Sequence, residues 1–115
     1  MPHLFTPDEA NKKLPEVRRI VSDIIDLKRK LGDASLNETE RASLFDRMTI
    51  LASKLAEQGI ELKDTDIGLI DFPAKRFDEV VYLCWKLGEP EVLYWHGLKD
   101  GYRGRKSLRP QPTTV

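Results

Sequence analysis

The stretch VVYLCW at residues 80–85 decides the fold class, because it is a near-continuous run of the β-branched and aromatic side chains that favour strands. A second apolar run, IGLIDF at 67–72, ends at Pro73, and a third, VLYWH at 92–96, follows the turn-forming segment GEP at 88–90. The connections are too short for a crossover helix. The three runs therefore predict a three-stranded antiparallel meander.

The residues before these runs have the apolar spacing of amphipathic helices. Thr6 and Glu9 have the spacing of a capping box, which predicts a helix start. Pro15 lies where it would break a continuous helix, because it has no N–H and its ring crowds the preceding turn. We therefore expect a short leading helix over about 7–13, then a long helix that begins at Pro15 and ends near Gly32.

A second capping box, at Asn37 and Glu40, predicts the next helix, and Gly59 ends it. Because the connection between the two long helices is short, they are expected to form an antiparallel hairpin. The predicted fold class is α+β. An antiparallel two-helix hairpin, with a short N-terminal helix before it, packs on the three-stranded meander.

The chain has 115 residues, which suits one ordinary domain. We expect a single α+β domain over residues 1–106, helical at 7–58 and with its sheet at 60–97. A flexible C-terminal tail is expected at 107–115.

The 19 basic and 19 acidic side chains give a formal net charge of zero, but they are unevenly distributed. Residues 97–115 carry five basic side chains and one acidic one, or +4, so the rest of the chain carries −4. One cysteine excludes an internal disulfide, and no apolar run approaches the roughly 18 residues of a membrane span. With no secretory signal at its start, the chain is expected to be cytoplasmic, with no membrane association.

Both faces of the predicted middle strand are apolar, with residues 80, 82 and 84 on one and 81, 83 and 85 on the other. The helix hairpin can cover one face. The leading helix, the tail, a ligand or a second copy must cover the other, and we expect a homodimer. Tyr82, Trp85, Tyr94 and Trp95 are expected to be core or interface anchors, with a ligand pocket as the alternative.

Several short motifs carry a resemblance to a known family. They are FTPDEAN at 5–11, LPE at 14–16, GLIDFP at 68–73, VYLCWKLGE at 81–89, YWH at 94–96 and GYRGR at 101–105. Together they resemble the small prokaryotic family catalogued as domain of unknown function 2203, over about residues 4–106. The central block is specific, whereas the helices are generic. The resemblance implies one domain, and it implies no activity, substrate or cofactor.

Asp71, Cys84 and His96 are the candidate metal-ligating or catalytic residues. Whether Cys84 and His96 can meet depends on the strand register. A two-residue turn at 88–89 would place them on opposite faces of the sheet, whereas a three-residue loop would place them on the same face.

Asp71 interrupts an apolar run, so a buried Asp71 needs a partner such as Arg76, Arg103 or a backbone donor. A structural ion pair is the preferred interpretation, and a functional carboxylate is the alternative. Cys84 lies in the middle of a strand between bulky residues, which is a poor position for an attacking thiol.

Arg103, Arg105 and Lys106 follow a glycine and a tyrosine, a combination that can bind an anion or stack on single-stranded bases. The segment lacks the Gly-Lys-Ser/Thr ending of a phosphate loop. The alternative is a strap that pairs with the acidic part of the chain.

We therefore expect a small cytoplasmic, self-associating interaction module with no cofactor and no catalysis of its own. Another protein is an alternative partner. The first alternative function is a nucleic-acid or phosphate-ligand-binding accessory protein that uses the basic C-terminal segment. The second is a metal-binding protein or enzyme centred on Asp71, Cys84 and His96.

Overall fold

The computed structural model describes residues 3–109 and has two helices followed by an antiparallel sheet. The helices are α1 (Pro7–Leu31) and α2 (Glu38–Glu57). The strands, which lie in the sheet in chain order, are β1 (Glu61–Asp64), β2 (Leu69–Arg76), β3 (Glu79–Lys86), β4 (Tyr94–Gly97) and β5 (Lys106–Ser107). A single 3-10 turn, Tyr102–Gly104, precedes β5. The predicted α+β class is confirmed.

α1 is one continuous helix, so the prediction of a separate short helix before Pro15 is wrong. The Thr6 hydroxyl accepts the Glu9 N–H at 3.1 Å, and the Glu9 carboxylate accepts the Thr6 N–H at 3.0 Å. Pro15 lies on the exposed side and costs about 3 kcal/mol. The opposite side buries seven side chains, each large aliphatic one contributing about 1.5–3 kcal/mol, so burial outweighs the cost of Pro15.

α2 begins at the predicted capping box, where the Asn37 side chain accepts the Glu40 N–H at 2.8 Å. Residues 32–37 connect it to α1, and the two helices pack against each other. Of its 20 residues only Leu55 is buried. Among the described residues, no helix is long and apolar enough to cross a membrane.

The sheet has five strands, so the prediction of three is wrong. β1 has the sequence ELKD, with three charged residues of four, and β5 has two residues. Both are edge strands held by backbone pairing to β2 and β4, and an apolar pattern does not reveal such strands. The tail predicted at 107–115 begins within β5, and its residues 110–115 lie outside the described part of the chain.

The two faces of the sheet differ in chemistry. Residues 70, 72 and 74 of β2 and 81, 83 and 85 of β3 face the buried stripe of α1 and form the hydrophobic core with it. The side chains that the register places on the opposite face include Asp71, Tyr82, Cys84, Tyr94 and His96. This second face is therefore largely polar or aromatic.

Within the C-terminal segment, residues 101–109, Lys106 and Ser107 extend the sheet as β5, while Arg105 lies against the second face. The Arg105 guanidinium lies 3.9 Å from the ring centroid of Tyr94 and 4.9 Å from that of Tyr102. The Leu108 N–H donates to the Leu93 carbonyl at 2.8 Å, which fastens the segment to the chain before β4. Part of the cover that the sequence required thus comes from this chain's own C-terminal segment.

The connection between β3 and β4, residues 87–93, is longer than either turn considered from the sequence. It is fastened to α1, because Asn11 accepts the Val92 N–H at 2.7 Å and Arg18 donates to the Pro90 carbonyl at 3.3 Å. Tyr82 pairs with His96 across β3 and β4. This register is the alternative in which Cys84 and His96 share a face.

Gly68, just before β2, lies close against side chains of α1. Its φ of +67° is a left-handed value, and a Cβ there would lie 2.8 Å from the Leu87 Cβ and 2.9 Å from the Val21 Cγ1. Both its backbone conformation and its surroundings therefore require glycine.

Candidate functional site

Asp71, Cys84 and His96 form a cluster on three adjacent strands, as one of the sequence alternatives predicts. His96 Nε2 lies 3.0 Å from Asp71 Oδ1 and 3.1 Å from Oδ2. Ligand atoms of all three side chains lie within 4.8 Å of one another. Asp71 is therefore partnered by a histidine and a thiol, and the predicted pairing with Arg76 or Arg103 is wrong.

The hydrogen bonds indicate where protons lie in the cluster. His96 Nδ1 lies 2.8 Å from the Gly97 carbonyl oxygen, which only accepts, so Nδ1 carries a hydrogen. Nε2 faces the Asp71 carboxyl group, so one proton lies between these two groups. Burial raises the pKa of Asp71, while His96 and the Cys84 thiol oppose that rise. The pair thus holds a single shared proton in a site that disfavours isolated charge.

The Cys84 thiol is protonated at neutral pH. Burial, followed by the neighbouring Asp71 carboxyl group, raises its pKa to about 12. The thiol can then donate its hydrogen to Asp71.

Imidazole, thiolate and carboxylate are all ligands that zinc accepts, so the cluster could hold such an ion. The ion would have to displace the thiol proton and the proton shared by Asp71 and His96. Asp71, Cys84 and His96 are only 2%, 0% and 3% exposed. The three groups satisfy one another's hydrogen bonds in a closed site, which is the behaviour of a structural polar cluster.

A second polar group lies beside the cluster. The Tyr82 ring centroid is 5.5 Å from that of His96, and its hydroxyl donates to Glu61 at 3.2 Å. Lys63 donates to the same Glu61 oxygen at 2.8 Å, and its ammonium lies 4.6 Å from the Tyr82 ring centroid. Burial, followed by the bond to Glu61, raises the pKa of Tyr82. Lys63 was not predicted to lie near this cluster because β1 was missed.

The basic residues predicted as an anion-binding segment, Arg103, Arg105 and Lys106, lie in different environments. Arg105 donates to both Glu89 carboxylate oxygens at 2.7 and 2.8 Å, so it joins the C-terminal segment to the connection before β4. Arg109 pairs with Glu91 of the same connection at 2.6 Å. These two contacts agree with the strap interpretation. Arg103 and Lys106 are exposed.

The four predicted aromatic residues are also divided. Trp85 is fully buried in the core and its indole N–H donates to the Glu89 carbonyl at 3.0 Å. Tyr82 and Tyr94 lie on the second face of the sheet. Trp95 is half-buried at the edge of the core and reaches the surface.

Around Trp95 is an aromatic and cationic group that we call the Trp95 cluster: Arg76, Phe77, Trp95 and Lys106. The Arg76 guanidinium and the Lys106 ammonium lie 5.1 and 4.8 Å from the Trp95 ring centroid. The Phe77 ring centroid lies 6.4 Å from it. Arg76 and Phe77 were not predicted to be near Trp95, because their position depends on the β2–β3 turn. No composition signal in the sequence indicates that turn's geometry.

A groove of about 540 Å³ adjoins the Trp95 cluster. Trp95 and Lys106 line it together with Val80, Leu98 and Lys99. Its acidic lining residues are Glu79 and Asp100, and Asp100 accepts the Gly97 N–H at 3.2 Å. The groove is the concave part of the surface that the Trp95 cluster forms.

Comparison with known proteins supports the resemblance seen in the motifs. The model of the family described as "Uncharacterized conserved protein (DUF2203)" matches residues 3–108, which include every helix and strand. No curated protein and no solved structure matches the chain.

Proposed function

The chain belongs to the DUF2203 family of uncharacterized conserved proteins, and we propose that it is an interaction module that binds a second copy of itself through α2. The observation that carries this proposal is the exposure of α2. Only Leu55 of its 20 residues is buried, whereas Phe45 is 61% exposed and Ile50 is 59% exposed. A helix that packs only within its own domain normally buries a full apolar stripe.

One face of α2 has the spacing of a helix–helix contact. Five residues, spaced alternately three and four apart, form this α2 seam: Ala42, Phe45, Thr49, Ala52 and Ala56. None is charged, and four of them are exposed, whereas Ala52 is half-buried against the core. The Thr49 hydroxyl donates to the Phe45 carbonyl at 3.1 Å within the helix, so its polar group is already satisfied. The alanines allow a second helix to approach closely.

The α2 seam fits a copy of itself. In a two-fold antiparallel pairing, Phe45 of one copy faces Thr49 of the other, and Ala42 faces Ala52. Each large side chain thus meets a smaller one, and the same patch serves both subunits. The charges along α2 have mixed signs, which favours a protein surface over a nucleic acid or an anionic membrane.

Two further parts of the proposal have separate support. The sequence argument for a homodimer required cover for the second face of the sheet, but the C-terminal segment lies there, so the dimer now depends on the α2 seam. The closure of the Asp71–Cys84–His96 cluster supports a module without catalysis of its own. The free Cys84 thiol is consistent with a cytoplasmic location, because thiols stay reduced there. In this proposal the two helices form an antiparallel hairpin that packs on the sheet.

Sedimentation velocity over a wide concentration range tests the proposal. Wild-type protein should shift from monomer to dimer as its concentration rises. Phe45→Glu should weaken the dimer by at least about 10-fold, because losing a central aromatic anchor commonly costs about 2 kcal/mol. Circular dichroism should show unchanged helix content.

Ile50→Glu is the matched control. Ile50 is as exposed as Phe45, but five positions along the helix it points about 140° away from it. The control should therefore dimerise like the wild type. A wild-type protein that remains monomeric at every concentration would overturn the proposal. If Phe45→Glu and Ile50→Glu weakened the dimer equally, the contact would lie elsewhere on α2, and the assignment of the α2 seam as the dimer contact would be wrong.

A further inference from the structure

The turn between β2 and β3 holds an aromatic ring in an unfavourable position. Phe77 and Asp78 have φ values of +52° and +61°, in the left-handed region. Aspartate tolerates this region, whereas for the phenylalanine it costs about 1–2 kcal/mol. Phe77 is also 78% exposed, so burial of its ring does not compensate. Backbone strain of this kind is concentrated at functional sites, where it sets the position of a side chain.

The cations of the Trp95 cluster are available to a ligand. Within residues 3–109, neither Arg76 nor Lys106 forms an ion pair with a carboxylate. Arg76 Nε is buried and makes no hydrogen bond. The nearby Asp78 pairs instead with Lys75, at 3.8 Å. Two positive groups therefore lie against an indole ring without a direct ion pair among residues 3–109, although the carboxylates of Glu79 and Asp100 line the adjoining groove.

We propose that the Trp95 cluster and its groove bind single-stranded nucleic acid. Aromatic rings that reach the surface stack on unpaired bases, and cations beside them hold the phosphates; here Phe77 is exposed and Trp95 is half-buried. Phe77 and Trp95 supply the rings, and Arg76 and Lys106 supply the charge. The groove of about 540 Å³, with Val80 and Leu98 in its wall, is of a size that suits one nucleotide.

This surface differs from the basic segment considered from the sequence. Arg105 is held by Glu89 and stacked on Tyr94, so it contributes to the fold rather than to a ligand site. Lys106 is the one residue common to both. The surface is built from β2, β3, β4 and β5, and it shares no residue with the α2 seam, so it extends the function beyond self-association.

Fluorescence anisotropy with labelled single-stranded oligonucleotides of about 12 residues, in ribo- and deoxyribo- forms, tests this site. Binding should be present at about 20 mM salt and fall steeply by about 200 mM, because phosphate contacts release counterions. A duplex of the same length should bind at least about 10-fold more weakly, because its bases are already stacked.

Phe77→Gly is the decisive variant. Glycine adopts positive φ freely, so the variant should be at least as stable as the wild type in urea unfolding. It should nevertheless lose about 10-fold in affinity, since one base–aromatic stack contributes about 1–3 kcal/mol. Ile50→Ala, which removes an equally accessible apolar side chain from α2, should bind like the wild type.

Lys106→Gln should reduce the slope of log affinity against log salt by about 1, whereas Lys12→Gln, an exposed lysine on α1, should leave it unchanged. Absence of binding at low salt, or unchanged affinity in Phe77→Gly, would overturn the proposal. Equal competition by an acidic peptide of matched charge would also overturn it, in favour of a general anion site.

Discussion

Asp71 is a buried carboxyl group whose neighbours limit the cost of its burial. His96 and the Cys84 thiol both bond to it, and one proton is shared with the imidazole. The pKa of Asp71 is nevertheless raised above its ordinary value of 3.8, because burial outweighs these partners. The cluster is therefore linked to pH through proton uptake in the folded state.

Asp71→Asn should change the pH dependence of stability. Because the folded pKa of Asp71 is above its unfolded value, the folded state binds this proton more tightly. The resulting contribution to the free energy of unfolding is fully present below pH 3.8 and is lost as the pH rises through the raised folded pKa. Urea unfolding at a series of pH values should show this loss in the wild type and not in Asp71→Asn.

Asp46→Asn, on the exposed part of α2, is the control and should keep the wild-type pH dependence. At neutral pH, Asp71→Asn should also cost about 1–3 kcal/mol, because it disturbs a buried hydrogen-bonded group. If Asp71→Asn kept the wild-type pH profile, Asp71 would not be the group responsible for the pH dependence of stability.

The contact between α1 and the start of β2 depends on the absence of a side chain at Gly68. The side chains of Val21, Ile25 and Leu87 fill the space that a Cβ would need. The side chains of α1 therefore pack directly against the backbone at this position.

Gly68→Ala should destabilise the fold by about 2–4 kcal/mol in urea unfolding, from backbone strain and overpacking together. Gly59→Ala separates the two effects. Gly59 has a similar φ of +78°, but the atom nearest to a Cβ at this position would be 4.0 Å away. Gly59→Ala should therefore lower the free energy of unfolding by only about 1 kcal/mol. Equal costs at the two positions would show that packing at Gly68 contributes nothing.

Local signals explain which elements the sequence predicts. Both capping boxes involve residues three apart, so the sequence predicts them correctly at Thr6 and Asn37. The break at Pro15 was wrong because its local cost is smaller than the burial of the stripe on the other side of α1, which is a tertiary effect. β1 and β5 were missed because backbone pairing at sheet edges leaves no apolar pattern.

For the candidate sites too, the sequence indicated the residue types but not the tertiary contacts. Asp71, Cys84 and His96 were selected by residue type, and their proximity required a register that the sequence left open. The arginine partners proposed for Asp71 were wrong, because Arg76 turns toward Trp95 and Asp71 faces His96. The Trp95 cluster could not be predicted, since it depends on positive φ values in a turn without glycine or asparagine.

The C-terminal segment links the charge imbalance of the chain to the closure of its second face. Arg105 and Arg109 pair with Glu89 and Glu91, so two basic residues of this segment neutralise acids of the preceding part of the chain. Arg105 also lies 3.5 Å from the Cys84 carbonyl oxygen. Opening of this segment should therefore uncover the buried thiol.

Arg105→Gln should raise the rate at which a thiol-specific reagent labels Cys84 in the native protein by about 10-fold, because losing a charged hydrogen bond costs about 1.5–3 kcal/mol. In the wild type, burial and a pKa of about 12 should keep labelling slow. Arg109→Gln removes an exposed pair and should leave the rate unchanged. Equal rates in wild type and Arg105→Gln would show that the segment does not control access.

The long, narrow outline of the molecule has a hydrodynamic consequence. Its principal extents are 61 × 35 × 26 Å, and its radius of gyration is 16.3 Å, against about 13 Å for a compact chain of this length. Such a body meets more friction as it diffuses than a sphere of equal mass. A single copy will therefore leave a gel-filtration column early, at the volume of a heavier protein. It will also tumble anisotropically, so amide groups aligned with the long axis will relax differently from those lying across it.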